Sequence, residues 1–247
     1  MASPTQTSGA GEVQPGHWWK EADRVADYVA RNDEASAVDE ISTVFGILTS
    51  LLPFEREASI KVLDIGSGHG VLAAAILDAF PRATAIGLDI SEPMMAEGRK
   101  RMARFGSRFS YHVGDFAQGS LPSDLTGPFD LVVSSRAIHH LPPDDKKRLF
   151  ADIRGHLNPG GAFFNVDNMR QRDEFLRNLY RQVPDPTNPN PPMPAPARQG
   201  EERPAGGREH PDPVENQLVW MREAGFAHVD VFWKRLGRSM VGGFKES

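Results

Sequence analysis

Residues 62–70 read Val-Leu-Asp-Ile-Gly-Ser-Gly-His-Gly, and Asp89 follows nineteen positions after Gly70. Glycine at 66, 68 and 70 lets a backbone turn come close to a ligand with no Cβ in the way. The apolar run Val62, Leu63 and Ile65 precedes the glycines and a helical pattern follows from Val71, so they fall at the strand-to-helix turn of a βαβ unit. Asp89 closes the next apolar run, Ala85-Ile86-Gly87-Leu88, where a carboxylate can accept from both hydroxyls of a ribose. The chemistry of this constellation is nucleoside binding.

Glycine spacing narrows the nucleoside. A dinucleotide site uses G-x-G-x-x-G, whose third glycine allows close helix–strand packing beside a pyrophosphate. Here Val71 takes that place and the third glycine comes one residue early, at Gly70. Asp64, two residues before the first glycine, would repel phosphate and suits a cationic ligand instead.

These residues need a scaffold, and the chain supplies alternating strands and helices from about Ser59 onward. Strands are expected at 60–65, 83–89, 108–113, 129–134 and 161–167, with helices at 71–80, 92–104 and 143–157 between them. That alternation implies a parallel sheet covered by helices. Pro93 stands in the first turn of its helix, where its missing N–H costs little. Asn158-Pro159-Gly160-Gly161 reads as a stop and turn before the fifth strand. A helical stretch at 170–182 and a last helix at 213–224 follow, and then Ala227–Trp233 and Met240–Phe244 pair as a hairpin. At the other end, Trp18, Trp19, Ala22, Val25, Ala26 and Val29 recur at helical spacing, and a second helix is expected at 36–52.

Met1–Val13 is small and polar, and reads as a disordered tail. Residues 14–53 form N-terminal helices, of which His17–Tyr28 is a candidate lid and Asp33–Pro53 packs as core. Residues 54–247 form the main domain. Within it, 184–213 is dense in proline, glycine and charge, so it is either a solvated linker or a loop over the substrate.

Asp64-x-Gly66-x-Gly68-x-Gly70 resembles motif I, D-x-G-x-G-x-G, of the class I S-adenosylmethionine (SAM)-dependent methyltransferases, small-molecule type. Gly114-Asp115-Phe116, the stretch from Phe129 to Leu141, and Leu157-Asn158-Pro159-Gly160-Gly161 are similar to later motifs of that family, in the same order. The Trp220–Lys245 terminus is similar to small-molecule members. The resemblance implies a doubly wound α/β fold: a seven-stranded, mostly parallel, Rossmann-like sheet with a C-terminal antiparallel hairpin and N-terminal lid helices. It implies SAM as cofactor and S-adenosylhomocysteine as product. The glycine turn would lie against the amino-acid end of SAM, Asp89 on the ribose, and Asp115 on the adenine amino group with Phe116 packing on the ring. The full cofactor set expected is Asp64, Gly66, Ser67, Gly68, Gly70, Asp89, Ile90, Met94, Gly114, Asp115, Phe116, Ser134 and Arg136.

Methyl transfer is an in-line displacement, for which positioning supplies most of the rate and a base helps where the acceptor must lose a proton. Acceptors in such sheets sit beyond the carboxyl ends of the fourth and fifth strands. The candidate catalytic residues there are His139 and Asp167. His139 either acts as a base or shapes the loop, and Asp167 would grip or deprotonate a polar acceptor. Trp18, Tyr28, Arg136, His140 and Asn168 are the candidate substrate residues. Arg136 would pair an anionic group on the substrate or make a structural ion pair. No metal is expected, because Ser134-Ser135 stand where the family's Mg²⁺ sites need a further carboxylate.

Composition sets the outer limits. A zero cysteine count removes disulfides, thiolate zinc sites and base methylation through a cysteine nucleophile. A net charge of −5 with pI near 5.9 weighs against a large nucleic-acid footprint. The absence of an N/D-P-P-Y-like string after strand four argues against methylation of exocyclic base amines or glutamine. No apolar stretch reaches membrane-spanning length. The expectation is a cytoplasmic, metal-independent enzyme that methylates oxygen or nitrogen of a small molecule, with its oligomeric state open. The alternatives are a tRNA wobble-base-modifying (carboxymethyl or methyl) transferase and a SAM-binding partner protein without turnover.

Overall fold

The computed structural model describes residues 22–32, 35–183 and 210–246. The expected tail at 1–13, Trp18, and 184–209 of the proline-rich stretch lie outside the described residues.

Seven strands form one sheet: β1 (Lys61–Ile65), β2 (Thr84–Asp89), β3 (Phe109–Val113), β4 (Phe129–Ser135), β5 (Leu157–Asn168), β6 (Ala227–Arg235) and β7 (Arg238–Phe244). The order is β3-β2-β1-β4-β5-β7-β6, with β1 to β5 parallel and β7 antiparallel to both β5 and β6. Val62, Leu63 and Ile65 are fully buried, as a strand covered on both faces requires. The order reverses between β1 and β4, which opens a crevice at the carboxyl ends of the strands on either side.

Helices α1 (Ala22–Asn32), α2 (Ala35–Leu51), α3 (Val71–Ala79), α4 (Glu92–Met102), α5 (Pro143–His156), α6 (Glu174–Arg181) and α7 (Val214–Glu223) accompany the sheet. Their starts are legible locally. Ser91 Oγ accepts from Met94 N–H at 3.3 Å to cap α4, with Pro93 in its first turn, and Asp173 accepts from Leu176 N–H at 2.9 Å to cap α6. One hydrophobic layer joins Val44, Phe45 and Leu48 of α2 to α3 and one face of the sheet. The other joins Phe150 of α5 and Trp220 of α7 to Phe163 of β5. Burying a side chain of this size contributes about 1.5–3 kcal/mol, so these three residues fasten the second half of α2 to the sheet.

One local expectation is corrected. Asn158-Pro159-Gly160-Gly161 does end α5, but it lies inside β5 rather than before it. Phe129 pairs with Leu157 while Leu131 pairs with Ala162, so these residues bulge out of the ladder, with Gly160 at φ 77°. The freed backbone is taken up by the segment after β7. Gly160 N–H donates to Lys245 C=O, and Lys245 N–H to Gly161 C=O, each at 2.8 Å.

Candidate active site

The glycine turn joins β1 to α3 with Gly66, Gly68 and Gly70 at φ 66°, 52° and 84°, a region that L side chains rarely adopt. The three glycines serve different purposes. A Cβ on Gly66 would overlap Ala137 in the loop after β4, and one on Gly70 would lie 2.9 Å from Met102. Only the Cβ direction of Gly68 is open, with Met94 Cε the nearest atom at 4.0 Å. So Gly66 and Gly70 permit packing within the protein, and Gly68 is the position at which a ligand can approach.

Asp89, at the end of β2, is tied to this turn. Its Oδ2 accepts from Gly68 N–H at 2.7 Å and its Oδ1 from Ser91 N–H at 2.8 Å. Burial pushes its pKa above the usual carboxylate range, against the opposing pull of these amides. Ile90 N–H is a third backbone donor to this carboxylate, which leaves one acceptor site for a ligand hydroxyl. Asp64 lies beneath the turn and is 1% exposed. Its Oδ2 accepts from Ala73 N–H at 3.2 Å, capping α3, whose N-cap position is held by Gly70 without a side-chain cap. Its Oδ1 is buried without a hydrogen-bond partner. Burial, with Asp89 adding to it, pushes the Asp64 carboxyl up to about 8.

Other expected cofactor residues divide by side-chain direction. Phe116 lies beside the turn, its ring edge 3.6 Å from the Cβ position of Gly66. Met94 lies against the open face of Gly68, and Ile90 is exposed just past Asp89. Asp115 is exposed and accepts from Ala117 N–H at 2.8 Å. Two serine side chains turn inward, and Gly114 leaves room for its neighbours. Ser67 packs under the turn, and a Cβ on Gly87 would come within 2.7 Å of its Oγ. Ser134 Oγ, fully buried, donates to Ile65 C=O at 2.8 Å. Gly114 makes room for Pro122 and Leu88, with its N–H on Asp89 C=O. For Ser134, in β4, alternation along the strand sends every second residue into the core, and a motif match does not reveal which.

On the acceptor side, β4 and β5 bring the expected residues together. Asp167, 2% exposed, accepts from His139 Nδ1 at 2.6 Å, His139 N–H at 2.9 Å and Asn168 N–H at 2.8 Å. Burial alone would raise its pKa, but His139 and these donors overcome that and hold the carboxyl below the usual range. The His139 and His140 rings stack at 4.1 Å between centroids. Burial first, then His139, lowers the His140 pKa to about 4, so its ring is neutral at pH 7. Arg136 stands at φ 53°, an unusual conformation for a non-glycine residue, with its N–H on Val166 C=O at 2.9 Å. Its guanidinium lies 5.5 Å from the ring centroid of Tyr28 in α1, so two candidate substrate residues meet in a cation–π contact.

Sequence reasoning missed the support beneath this dyad. Lys146 is fully buried and donates to Asp212 Oδ2 at 2.6 Å and to His210 C=O, while His210 N–H donates to His139 C=O at 2.7 Å. A lysine in the run Asp-Asp-Lys-Lys-Arg reads as part of a solvated helix face. Only the helical phase, with Leu149, Phe150 and Ile153 on the same buried side, hints otherwise.

Known proteins are similar to this chain over its central residues. Residues 62–161 match the family model for a methyltransferase domain. That stretch is a methyltransferase domain. Trans-aconitate 2-methyltransferase of Deinococcus radiodurans is 37% identical to the chain over 116 residues, 47% of this chain and 40% of that protein. Ribosomal RNA small subunit methyltransferase C of Klebsiella pneumoniae is 34% identical over 125 residues, 49% of this chain and 34% of the relative. The chain therefore spans less than half the length of either relative. A solved structure described as PigF with SAH shares the fold, with a TM-score of 0.62 at 20% identity, over 92% of this chain and 60% of that one. The family match ends before Asp167 and Asn168 and includes Arg136, His139 and His140.

The residues present fit SAM. The orphaned Oδ1 of Asp64 is an uncompensated buried carboxylate oxygen under the turn, and a cationic ligand supplies the charge that would keep it ionised. The open face of Gly68 beside Asp89 offers the close approach and the acceptor site that a nucleoside needs. No helix of the described residues is long and apolar enough to cross a membrane.

Proposed function

We propose that this chain transfers the methyl group of SAM to an oxygen or nitrogen of a small-molecule acceptor by direct displacement, without metal. The observation that carries the acceptor half of this reading is the Asp167–His139 pair at the carboxyl ends of β4 and β5. When bound, SAM supplies the electrophilic methyl. The protein supplies position and proton handling. Gly68 and Asp89 hold the nucleoside and the glycine turn receives the amino-acid end, with Asp64 compensating positive charge from below. Asp115 and Phe116 take the adenine. His139, with its Nδ1–H donated to Asp167, keeps the lone pair on Nε2 and accepts the proton of the acceptor hydroxyl or amine. Arg136, held over Tyr28, and the neutral His140 line the acceptor approach together with Asn168.

A nucleic-acid acceptor is the second reading, favoured by the similarity to a ribosomal RNA methyltransferase. The net charge of −5 opposes it, because phosphate contacts need clustered cations. Incubation with methyl-labelled SAM and two separate pools, a small-metabolite extract and bulk RNA, decides between them. Label in a low-mass product is the expected result. Label in RNA overturns the acceptor class, and no label in either pool despite SAM binding overturns turnover on these acceptor classes.

A further inference from the structure

The glycine that faces the cofactor side is locked by side chains outside the glycine motif. Tyr111 of β3 donates its hydroxyl to Gly68 C=O at 3.0 Å, while Gly68 N–H donates to Asp89 Oδ2 at 2.7 Å. Both polar backbone groups of Gly68 are therefore engaged, one by the ribose-side carboxylate and one by the phenol. Glycine is the residue with the most backbone freedom, so these two bonds hold a conformation the chain would otherwise leave.

Space for the phenol is made by a second glycine, inside α4. A Cβ on Gly98 would overlap the Tyr111 hydroxyl and lie 3.0 Å from His69 Cα. A Cβ on Gly70 would stand 3.4 Å from the same hydroxyl. Glycine within a helix is disfavoured relative to alanine, and the Tyr111 contact accounts for its presence here. Burial, reinforced by the negative charges of Asp64 and Asp89, raises the phenol pKa above the usual tyrosine value. The hydroxyl thus remains a donor across the working pH range. Arg99 lies over the same ring, 6.0 Å from its centroid.

We propose that Tyr111, given room by Gly98, is a positioning residue for the cofactor: it fixes Gly68, and through it Asp89, in the arrangement that receives SAM. The inference rests on the SAM reading above. A turn held ready binds more tightly than one populating the competent form only part of the time, because apparent affinity scales with that fraction.

The test is SAM affinity by calorimetry for the wild type, Tyr111→Phe and Gly98→Ala, with steady-state kinetics on the labelled acceptor pool. Tyr111→Phe keeps the ring and removes only the bond, so SAM binding weakens about fivefold, the worth of one net hydrogen bond. The acceptor KM and the kcat at saturating SAM stay within twofold of wild type. Gly98→Ala displaces the ring and weakens SAM binding in the same sense, providing a second variant through an independent substitution. The double variant weakens binding by less than the product of the two single effects, since both act through one contact. A wild type that binds SAM and a Tyr111→Phe variant that binds it equally well overturn the positioning role alone. A loss that falls on acceptor KM or on kcat at saturating SAM overturns it as well. A wild type that fails to bind SAM overturns the cofactor reading itself.

Discussion

Replacing Asp167 by Asn changes one oxygen of a buried carboxylate into a donor and leaves the shape unchanged. In the native arrangement the carboxylate accepts from His139 N–H, His139 Nδ1 and Asn168 N–H, at 2.9, 2.6 and 2.8 Å. These three donors approach both oxygens, and an amide can accept at only one. Either His139 N–H or Asn168 N–H then faces an NH₂ group, and the buried donor left unsatisfied costs about 1–3 kcal/mol. Loss of the bond to an ionised acceptor adds about 1.5–3 kcal/mol. The variant should lose about 2.5–6 kcal/mol of stability, read from urea denaturation at about pH 7.5. The activity effect has a different origin. An amide with its NH₂ toward His139 moves the ring proton to Nε2 and removes the base, for which the expected fall in kcat is about 10²–10⁴. Label transfer at saturating SAM, alongside SAM calorimetry, separates the two: cofactor affinity should stay within twofold of wild type. A folded Asp167→Asn variant that turns over at the wild-type rate would falsify the base role and leave the dyad as scaffolding. The stability difference also has a signed pH dependence. The folded carboxyl is held below its unfolded value, so its contribution is present above about pH 4 and lost as pH falls through the lower folded value.

Three further outcomes follow from the cofactor side. Asp89→Ala removes the acceptors of Gly68 and Ser91 N–H together with the ribose contact; SAM affinity should fall about 10- to 100-fold with a retained circular dichroism spectrum, and unchanged affinity sinks the assignment. Asp64 has a raised folded pKa, so its contribution to the stability of the ligand-free protein is present below about pH 4 and drains away as pH rises through about 8, by up to about 1.4 kcal/mol per unit. Asp64→Asn should flatten that slope in thermal denaturation and abolish proton release on SAM binding at pH 7, measured by calorimetry in buffers of different ionisation enthalpy. Identical slopes in both proteins would remove Asp64 from the charge balance. Gly66→Ala meets Ala137 at positive φ and should cost the fold about 2–5 kcal/mol, whereas Gly68→Ala pays only the φ strain of about 1–2 kcal/mol. Gly68→Ala should nevertheless weaken SAM at least about tenfold, and the reverse ranking of the two variants would show that the open face has been misassigned.

The elements were legible because apolar runs and glycine punctuation carry them. Val62–Ile65 before three glycines fixes β1 and the turn, and Pro93 marks the first turn of α4. Asp167 and His139 were legible as neighbours because both fall at carboxyl ends of adjacent strands. Their mutual hydrogen bonds were not, since these depend on the loop after β4 folding back by way of the positive φ at Arg136. Tyr111 was invisible because an aromatic residue in a strand reads as ordinary packing, and the helical Gly98 that admits it has no local signature. Lys146 was invisible for the opposite reason: its neighbours in sequence are charged, and its partner Asp212 lies sixty-six positions away. Ser67 and Ser134 match a motif in type, yet the direction of Ser134 is decided by the pleat of β4 and that of Ser67 by the fold of the glycine turn.

The order in which β7 joins the sheet has a consequence for synthesis. β7 lies between β5 and β6, although it follows both in the chain. Until residues 238–244 leave the ribosome, β5 is an edge strand twelve residues long, with Phe163 and Phe164 beside an unpaired row of backbone donors and acceptors. A nascent chain halted before that point is a template for pairing with its own copies. Any truncation that removes β7 should therefore be judged first by aggregation rather than by loss of activity, because β7 covers the long edge that β5 would otherwise present.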